Sequence, residues 1–325
     1  MSGPDLLNLE EPDLLNVDGG PTTAGVRYGF FTDTSICIGC KACEVACKEW
    51  NHVPDNPRGF TGESLDNTGS LGSNAWRHVA FVEQDQVAGD SPPPVMGLEW
   101  FGEDPGLPDG AHGSEEGRGV PLFGEAEAAD PSKHGFRWLM SSDVCKHCTH
   151  AACLEVCPTG AIFYTEFDSV VVQDDICNGC GYCVTACPYG VIERRESDGG
   201  AWKCTLCYDR LRGGKQPACS QACPTDSIQF GPLEQLRERA AARVDALVDD
   251  GYSRAQLYGH DQSDGVGGNG AFFLLLDDPE VYRLPPDPVT PTRKVGRMWR
   301  SATLAGVALA ATVATSFLGT SRRLP

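Results

Sequence analysis

Sixteen cysteines stand in this chain of 325 residues, and every one of them falls into one of four blocks. The first, "SICIGCKACEVACKEW" at 35–50, carries Cys37, Cys40, Cys43 and Cys47. The second, "CKHCTHAACLEVCP", carries Cys145, Cys148, Cys153 and Cys157, and the third, "CNGCGYCVTACP", carries Cys177, Cys180, Cys183 and Cys187. The fourth joins "CTLC" to "CSQACP" and carries Cys204, Cys207, Cys219 and Cys223. Each block is a trio followed, after three residues, by one further cysteine. Thiolates are soft metal ligands, so a repeated pattern that uses every thiol points first to ligation.

An even number of cysteines also suits a disulfide framework. The acidic start, "MSGPDLLNLEEPDLLNVDGG", lacks the basic and apolar regions of a secretory signal. Disulfide-stapled domains are also usually much shorter than this. Metal ligation in a reducing cytosol is therefore the expectation. Zinc favours two separated pairs per tetrahedral ion, which leaves the middle thiol of each trio without a use. A 4Fe–4S cube needs four thiolates, one per iron. The trio offers three of them, and the displaced last cysteine ligates the neighbouring cluster in two-cluster ferredoxins. Proline follows that last cysteine in blocks two to four, while Lys48 takes its place in block one. Four motifs predict four 4Fe–4S clusters. A scaffold stabilised by zinc or disulfides, which only binds partners, is the alternative from a different class.

Chain order predicts the pairing. Blocks two and three are close in sequence and form one unit, leaving blocks one and four to pair around it without threading. The expected ligand sets are Cys37, Cys40, Cys43 and Cys223; Cys204, Cys207, Cys219 and Cys47; Cys145, Cys148, Cys153 and Cys187; and Cys177, Cys180, Cys183 and Cys157. His147 and His150 lie beside block two but form no second C-x-x-C-H box, so they are read as outer-sphere or surface residues. No thiol is left for a nucleophilic Cys/His site, and no catalytic residue is assigned. Lys41, Lys48, Lys146 and Lys203 neighbour ligands, where they would either raise cluster potentials or sit in solvent.

The elements that must position these blocks are coarser. Residues 1–26 read as a disordered acidic tail. The four cysteine motifs occupy 27–58, 136–167, 168–198 and 199–231. Between the first two lies an acidic Gly/Pro-rich insertion, 59–135, with one possible strand at 76–84. Residues 161–173 read as a hairpin, 232–251 as a helix with Leu233, Leu236, Ala240, Val244 and Leu247 on one face, and 271–277 as a buried strand. The region 232–298 ends in a proline-rich stretch read as an extended linker. Residues 299–320 read as a transmembrane helix: its uncharged core, 301–319, would be about 28 Å long, near the bilayer's hydrocarbon thickness. Ala302, Gly306, Ala310 and Ala314 form a small-residue ridge suited to packing against another membrane helix. The net charge of −19 argues against nucleic acid, which asks for basic surfaces.

The segments "CIGCKACEVACKEWN", "CGYCVTACPYG", "KCTLCYDR" and "QPACSQACPTDSIQFG" resemble the iron–sulfur (beta) subunits of molybdopterin oxidoreductases. "GVGGNG", "DPEVYRLPPDP" and the carboxy-terminal span resemble in particular the beta subunit of membrane-bound respiratory formate dehydrogenase. The resemblance implies a molybdopterin catalytic (alpha) subunit that oxidises formate, and a membrane cytochrome b (gamma) subunit that reduces quinone. It implies a site in the cell membrane or envelope with a single-pass C-terminal anchor and the cluster-bearing body on the outer face. Arg293, Lys294, Arg297 and Arg300 precede the span and Arg322 and Arg323 follow it, which by loop charge alone would keep that body inside. A subunit of a dimethyl sulfoxide, polysulfide or thiosulfate reductase is the alternative. The expected fold is α+β: two interleaved two-cluster ferredoxin-like units, an acidic loop insertion and one C-terminal transmembrane helix.

Overall fold

The computed structural model describes residues 26–55, 62, 65–85 and 136–321, with the backbone alone for Asp85, Phe136 and 318–321. The acidic tail expected at 1–26, save Val26, and residues 86–135 of the insertion lie outside the described residues.

Strand β1 (Tyr28–Asp33) runs into block one and β8 (Ile228–Pro232) runs out of block four. The two pair antiparallel, with Phe30 opposite Phe230. On its other edge β1 pairs in parallel with β10 (Ala271–Leu275), Phe30 opposite Ala271, and β10 pairs with β9 (Gln256–Tyr258). The sheet order is therefore β8-β1-β10-β9, and it clamps the first and last cysteine blocks side by side. Alternation sorts its two faces. Phe31, Phe272 and Leu274 pack under helix α6 (Leu233–Asp249) through Leu233, Leu236, Ala240 and Leu247. Tyr28, Phe30, Phe230 and Phe273 face the opposite way, into a core that includes Cys43, Cys47, Cys145, Cys204 and Cys219. β10 is buried on both faces, which explains its unbroken apolar run.

Blocks two and three make a second, smaller core from Ala151, Ile162, Val170, Cys183, Ile192 and Ala201. It is framed by the hairpin β4 (Ile162–Tyr164) with β5 (Val170–Val172) and by the pair β6 (Glu193–Arg194) with β7 (Ala201–Trp202).

Three segments differ from their sequence reading. The start of the insertion folds onto the body: β2 (Arg77–Asp85) pairs along its whole length with β3 (Phe136–Val144), Val79 opposite Ser142. Glu44 fastens this ribbon to block one by accepting from the Val79 amide and the Thr68 hydroxyl. Its partner strand lies some fifty residues further along the chain, beyond any local signal. The proline-rich stretch is a packed strap rather than a free linker. Tyr282 is buried and accepts from the Leu276 amide at 3.2 Å, and Thr290, fully buried, donates to the His150 carbonyl at 2.6 Å.

The third difference corrects the transmembrane expectation. Helix α7 (Val295–Ser321) forms as one element, yet among the described residues no helix is long and apolar enough to cross a membrane. Its large apolar side chains, among them Leu304, Val307, Leu309, Val313 and Phe317, are diluted by Ala, Gly, Ser and Thr. The Thr303, Thr312, Thr315 and Ser316 hydroxyls donate to carbonyls of the helix's own preceding turn.

Phe31 is fully buried and stacks on Phe272 at 5.3 Å between sheet and α6. We predict that Phe31→Ala destabilises the folded chain by about 3–5 kcal/mol. An unchanged midpoint in denaturant unfolding would show that the sheet–helix layer is not what holds blocks one and four together.

Candidate metal centres

Each trio sits on a tight loop closed by left-handed backbone. The residue just before the second cysteine has positive φ in all four blocks: Gly39 (65°), His147 (45°), Gly179 (67°) and Leu206 (60°). At Gly39 an added Cβ would meet Met140 Sδ and Phe81 Cε1 at 2.6 Å, and at Gly179 it would meet the Gly199 carbonyl at 2.3 Å. Blocks one and three therefore require glycine twice over, by conformation and by space. Blocks two and four place a bulky residue there, a conformation that costs of order 1 kcal/mol and is held only by its surroundings.

The third cysteine of each block stands on a short helix and the last lies four residues on, within the helix in block one and just past its end in the others. Helix α1 (Ala42–Trp50) holds Cys43 and Cys47, while α2 (Ala152–Glu155) holds Cys153 and leads to Cys157. Helix α3 (Tyr182–Ala186) holds Cys183 and leads to Cys187; α5 (Ala218–Gln221) holds Cys219 and leads to Cys223. The only other helix here, α4 (Tyr208–Arg212), follows directly on Cys207. A spacing of four places two thiols on one face, about 6 Å apart along the axis. Helix α1 packs on α5, and α2 on α3, so a thiol from each helix reaches the loop of its partner.

The structure brings the sixteen sulfurs into four gatherings. Cys37, Cys40, Cys43 and Cys223 line one recess of about 280 Å³, its open mouth included. Cys145, Cys148, Cys153 and Cys187 line another of about 350 Å³ with His147 and Lys203. Cys47 lies in electrostatic reach of Cys204, Cys219 and Cys207, and the Asn51 amide stands 3.7 Å from both Cys47 Sγ and Cys207 Sγ. Cys183 lies in reach of Cys177, Cys180 and Cys157. The gatherings also adjoin in a row: Cys43 feels Cys219, Cys204 feels Cys145, and Cys153 feels Cys183. Cys47, Cys204, Cys207 and Cys219 are all buried, while Cys40 and Cys180, in the gatherings at the two ends of the row, are exposed. Among the described residues no three His, Cys, Asp or Glu side chains close around a single metal ion.

Burial pushes the Cys43 and Cys183 thiols up to about 11 and the Cys153 thiol to about 12. Neighbouring sulfurs add to the rise, while Arg77 opposes it at Cys43 and Lys203 at Cys153. Cys47 and Cys148 are held well above the ordinary thiol range, again by burial first and by nearby sulfurs second. Only Cys157, near the surface, is lowered: slight burial raises it, but hydrogen bonds from Thr159, Ile162 and Ala161 prevail. Two buried cations answer this sulfur-rich interior. For Lys203 burial lowers the pKa, but Cys145, Cys153 and Cys204 outweigh it, and the ammonium donates to the Val170 and Cys204 carbonyls. Arg77 is held in the same way by Cys219, Cys43, Cys204 and Cys47.

The four lysines beside the ligands divide. Lys146 and Lys203 are buried, whereas Lys41 pairs with Glu44 and Asp66 at 3.4 and 3.5 Å and Lys48 stands 3.9 Å from Asp55. His150 is half-buried, but His147 is buried in the lining of the block-two recess. Burial, Lys203 and Arg27 keep the His147 imidazole neutral, its Nδ1 accepts from the Val170 amide at 3.0 Å, and its Nε2 has no protein partner. Arg77 Nε is likewise buried without a protein partner. Two orphaned N–H donors beside sulfur-lined recesses fit clusters whose sulfides accept hydrogen bonds. Arg77 carries no motif, but the alternation of "WRHVAF" sets it on the same strand face as buried Val79. A charge on an apolar face was the available signal.

Short loops, helix-borne fourth thiols and paired gatherings define an iron–sulfur protein of the two-cluster ferredoxin type. A family model described as a 4Fe-4S dicluster domain matches residues 136–233, and another of the same description matches 36–161, which together fit four clusters. The chain belongs to the family of iron–sulfur subunits that includes those of formate dehydrogenase. It is 34% identical over 274 residues to the nitrate-inducible formate dehydrogenase iron–sulfur subunit of Escherichia coli (strain K12), covering 83% of this chain and 76% of that one. It is 34% identical over 294 residues to the formate dehydrogenase iron–sulfur subunit of Haemophilus influenzae, covering 88% and 78%. To a subunit of the anaerobic dimethyl sulfoxide reductase of E. coli it is 33% identical over 213 residues, covering 66% and 77%.

A thiol whose pKa rises from 9.0 to about 11 on folding makes the folded chain bind its proton more tightly. We predict that the cluster-free chain keeps its stability below pH 9 and loses it as pH climbs toward 11. Loading with clusters removes those protons and should abolish the trend. Denaturant midpoints across this range, taken with and without clusters, check it; a cluster-free chain equally stable at pH 8 and pH 11 would contradict the buried-thiol account.

Proposed function

We propose that this chain is the electron-transfer subunit of a formate dehydrogenase complex, carrying four 4Fe–4S clusters as a wire. The observation that supports it most is the single row of four sulfur gatherings, buried in the middle and exposed at both ends. The clusters supply one-electron carriers; the protein sets their order, excludes water from the middle and leaves an open face at each terminus. The ligand sets are Cys37, Cys40, Cys43 with Cys223; Cys204, Cys207, Cys219 with Cys47; Cys145, Cys148, Cys153 with Cys187; and Cys177, Cys180, Cys183 with Cys157. In the row these stand as blocks one, four, two and three.

Electrons enter from a molybdopterin catalytic (alpha) subunit that oxidises formate and leave to a membrane cytochrome b (gamma) subunit that reduces quinone. The exposed apolar residues beside the end thiols, Ile38 next to Cys37 and Tyr182 and Ile176 beside Cys180 and Cys177, suit such docking. Helix α7, with its uncovered side chains, offers a surface for docking to a partner subunit. The cluster-bearing body then stands on the outer face of the cell membrane. Formate is favoured over the dimethyl sulfoxide type by the greater extent of the match, which reaches 83% and 88% of the chain against 66%.

Two measurements test this. This chain, isolated anaerobically, should contain about 16 irons and as much acid-labile sulfide, four for each cube, and the intact complex should oxidise formate with a dye acceptor. Zinc in place of iron would return the scaffold alternative, and an assembled, iron-replete complex inert to formate would point to a dimethyl sulfoxide-type reductase. Within the chain, Cys47→Ser should damage the block-four cluster while sparing the block-one cluster. The reverse pattern in electron paramagnetic resonance would overturn the crossed ligation.

A further inference from the structure

We infer that Arg77 is a positioning residue shared by two clusters, a fixed buried cation at the junction of the block-one and block-four quartets that raises the reduction potential of both. Its side chain is 2% exposed and contacts each quartet through a different arm. Nη2 donates to Cys219 Sγ at 3.3 Å, directly into the block-four set. Nη1 donates to the Ser142 carbonyl at 3.1 Å and to Ser142 Oγ at 3.2 Å, and that hydroxyl lies 3.1 Å from Cys43 Sγ in the block-one set. The remaining donor, Nε, faces no protein acceptor. The guanidinium carbon stands 4.9 Å over the Phe30 ring, which fixes the plane of the fork from behind.

The strongest charges facing it are the sulfurs of Cys219, Cys43, Cys204 and Cys47, drawn from both quartets. A buried cation left unpaired is costly, and a negatively charged group held on these sulfurs would answer it. Adding one electron to a cluster adds one negative charge, and a cation held beside it stabilises the reduced form more than the oxidised form. The planar fork fixes the directions of the N–H groups toward both acceptors, while the positive charge itself is one that a lysine would also supply. Ser142 carries the same influence to block one, since its hydroxyl stands between Arg77 Nη1 and Cys43 Sγ. Arg77 and Ser142 face each other across the β2–β3 ribbon, two residues out of register, so the start of the insertion, which bears no cysteine, places the charge.

The inference rests on the cluster assignment proposed above, and its test separates the two. In the intact complex, potentiometric titration followed by electron paramagnetic resonance is run on wild type, Arg77→Gln, Arg77→Lys and Ser142→Ala. Signals are assigned to blocks by single cysteine-to-serine variants. Arg77→Gln should lower the reduced-to-oxidised ratio at fixed poise at least tenfold, about 59 mV for a one-electron couple, in the block-one and block-four clusters alone. Arg77→Lys should stay near wild type, and Ser142→Ala should shift the block-one cluster only. Four signals at wild-type potentials in Arg77→Gln, a uniform shift of all four, or an equal shift in Arg77→Lys would each overturn the role. Should Arg77→Gln fail to load iron, an unmoved block-one potential in iron-replete Ser142→Ala overturns it instead. A wild-type complex without four reducible signals sinks the cluster assignment itself.

Discussion

Gathering sixteen cysteine sulfurs within a single chain, many of them buried, sets an electrostatic constraint that the rest of the structure answers. Thiolates are required for ligation, but burial and mutual repulsion oppose them, and the thiols beside one another are driven far toward the protonated form. Iron relieves this by taking the place of the protons. The protein adds two buried cations, Arg77 and Lys203, where quartets adjoin, and leaves N–H donors of Arg77 and His147 unpaired by protein. Cluster binding therefore adds to the stability of the folded chain. The supporting helices say the same: α2 and α5 span four residues each and α3 five, too short to persist outside their surroundings.

The same geometry that buries the sulfurs also orders them. Four residues separate the third and fourth cysteine of each block, and α1 packs on α5 and α2 on α3, which sets neighbouring sulfur gatherings side by side. The four-stranded sheet does the equivalent work at longer range, since β1 and β8 deliver blocks one and four to the same place. Phe30, Phe230 and Phe273 form a floor beneath the sulfur layer, and α6 seals the sheet's far side. Rigidity of this kind suits a carrier whose structure should change little between its two oxidation states.

The chain's periphery is arranged differently. The proline-rich strap crosses the body and is pinned through Tyr282 and Thr290, after which α7 leaves with its described side chains exposed. The exposed end thiols, Cys40 and Cys180, have the exposed apolar side chains of Ile38, Ile176 and Tyr182 close by in the chain.

Much of the candidate site was legible before any coordinates, because ligation chemistry is written in residue type and short spacing: a trio, a step of four and a complete account of the thiols. The helix at Leu233–Asp249, the hairpin flanking Asp168 and the apolar strand at Ala271–Leu275 were legible for a similar reason, since hydrophobic period and turn chemistry are local. What the chain order could not show was the partner of β2, the strap's burial, the neutral buried state of His147, and Arg77 set between two quartets. The dilution of α7 by small and hydroxyl-bearing residues was visible in its letters, yet its length and lack of charge had invited a spanning helix. Sequence alone determined which thiols are available to bind and the short spacings that group them. Tertiary structure decided which centres touch and which cations stand between them, because burial and charge pairing arise from contacts between residues far apart in the chain.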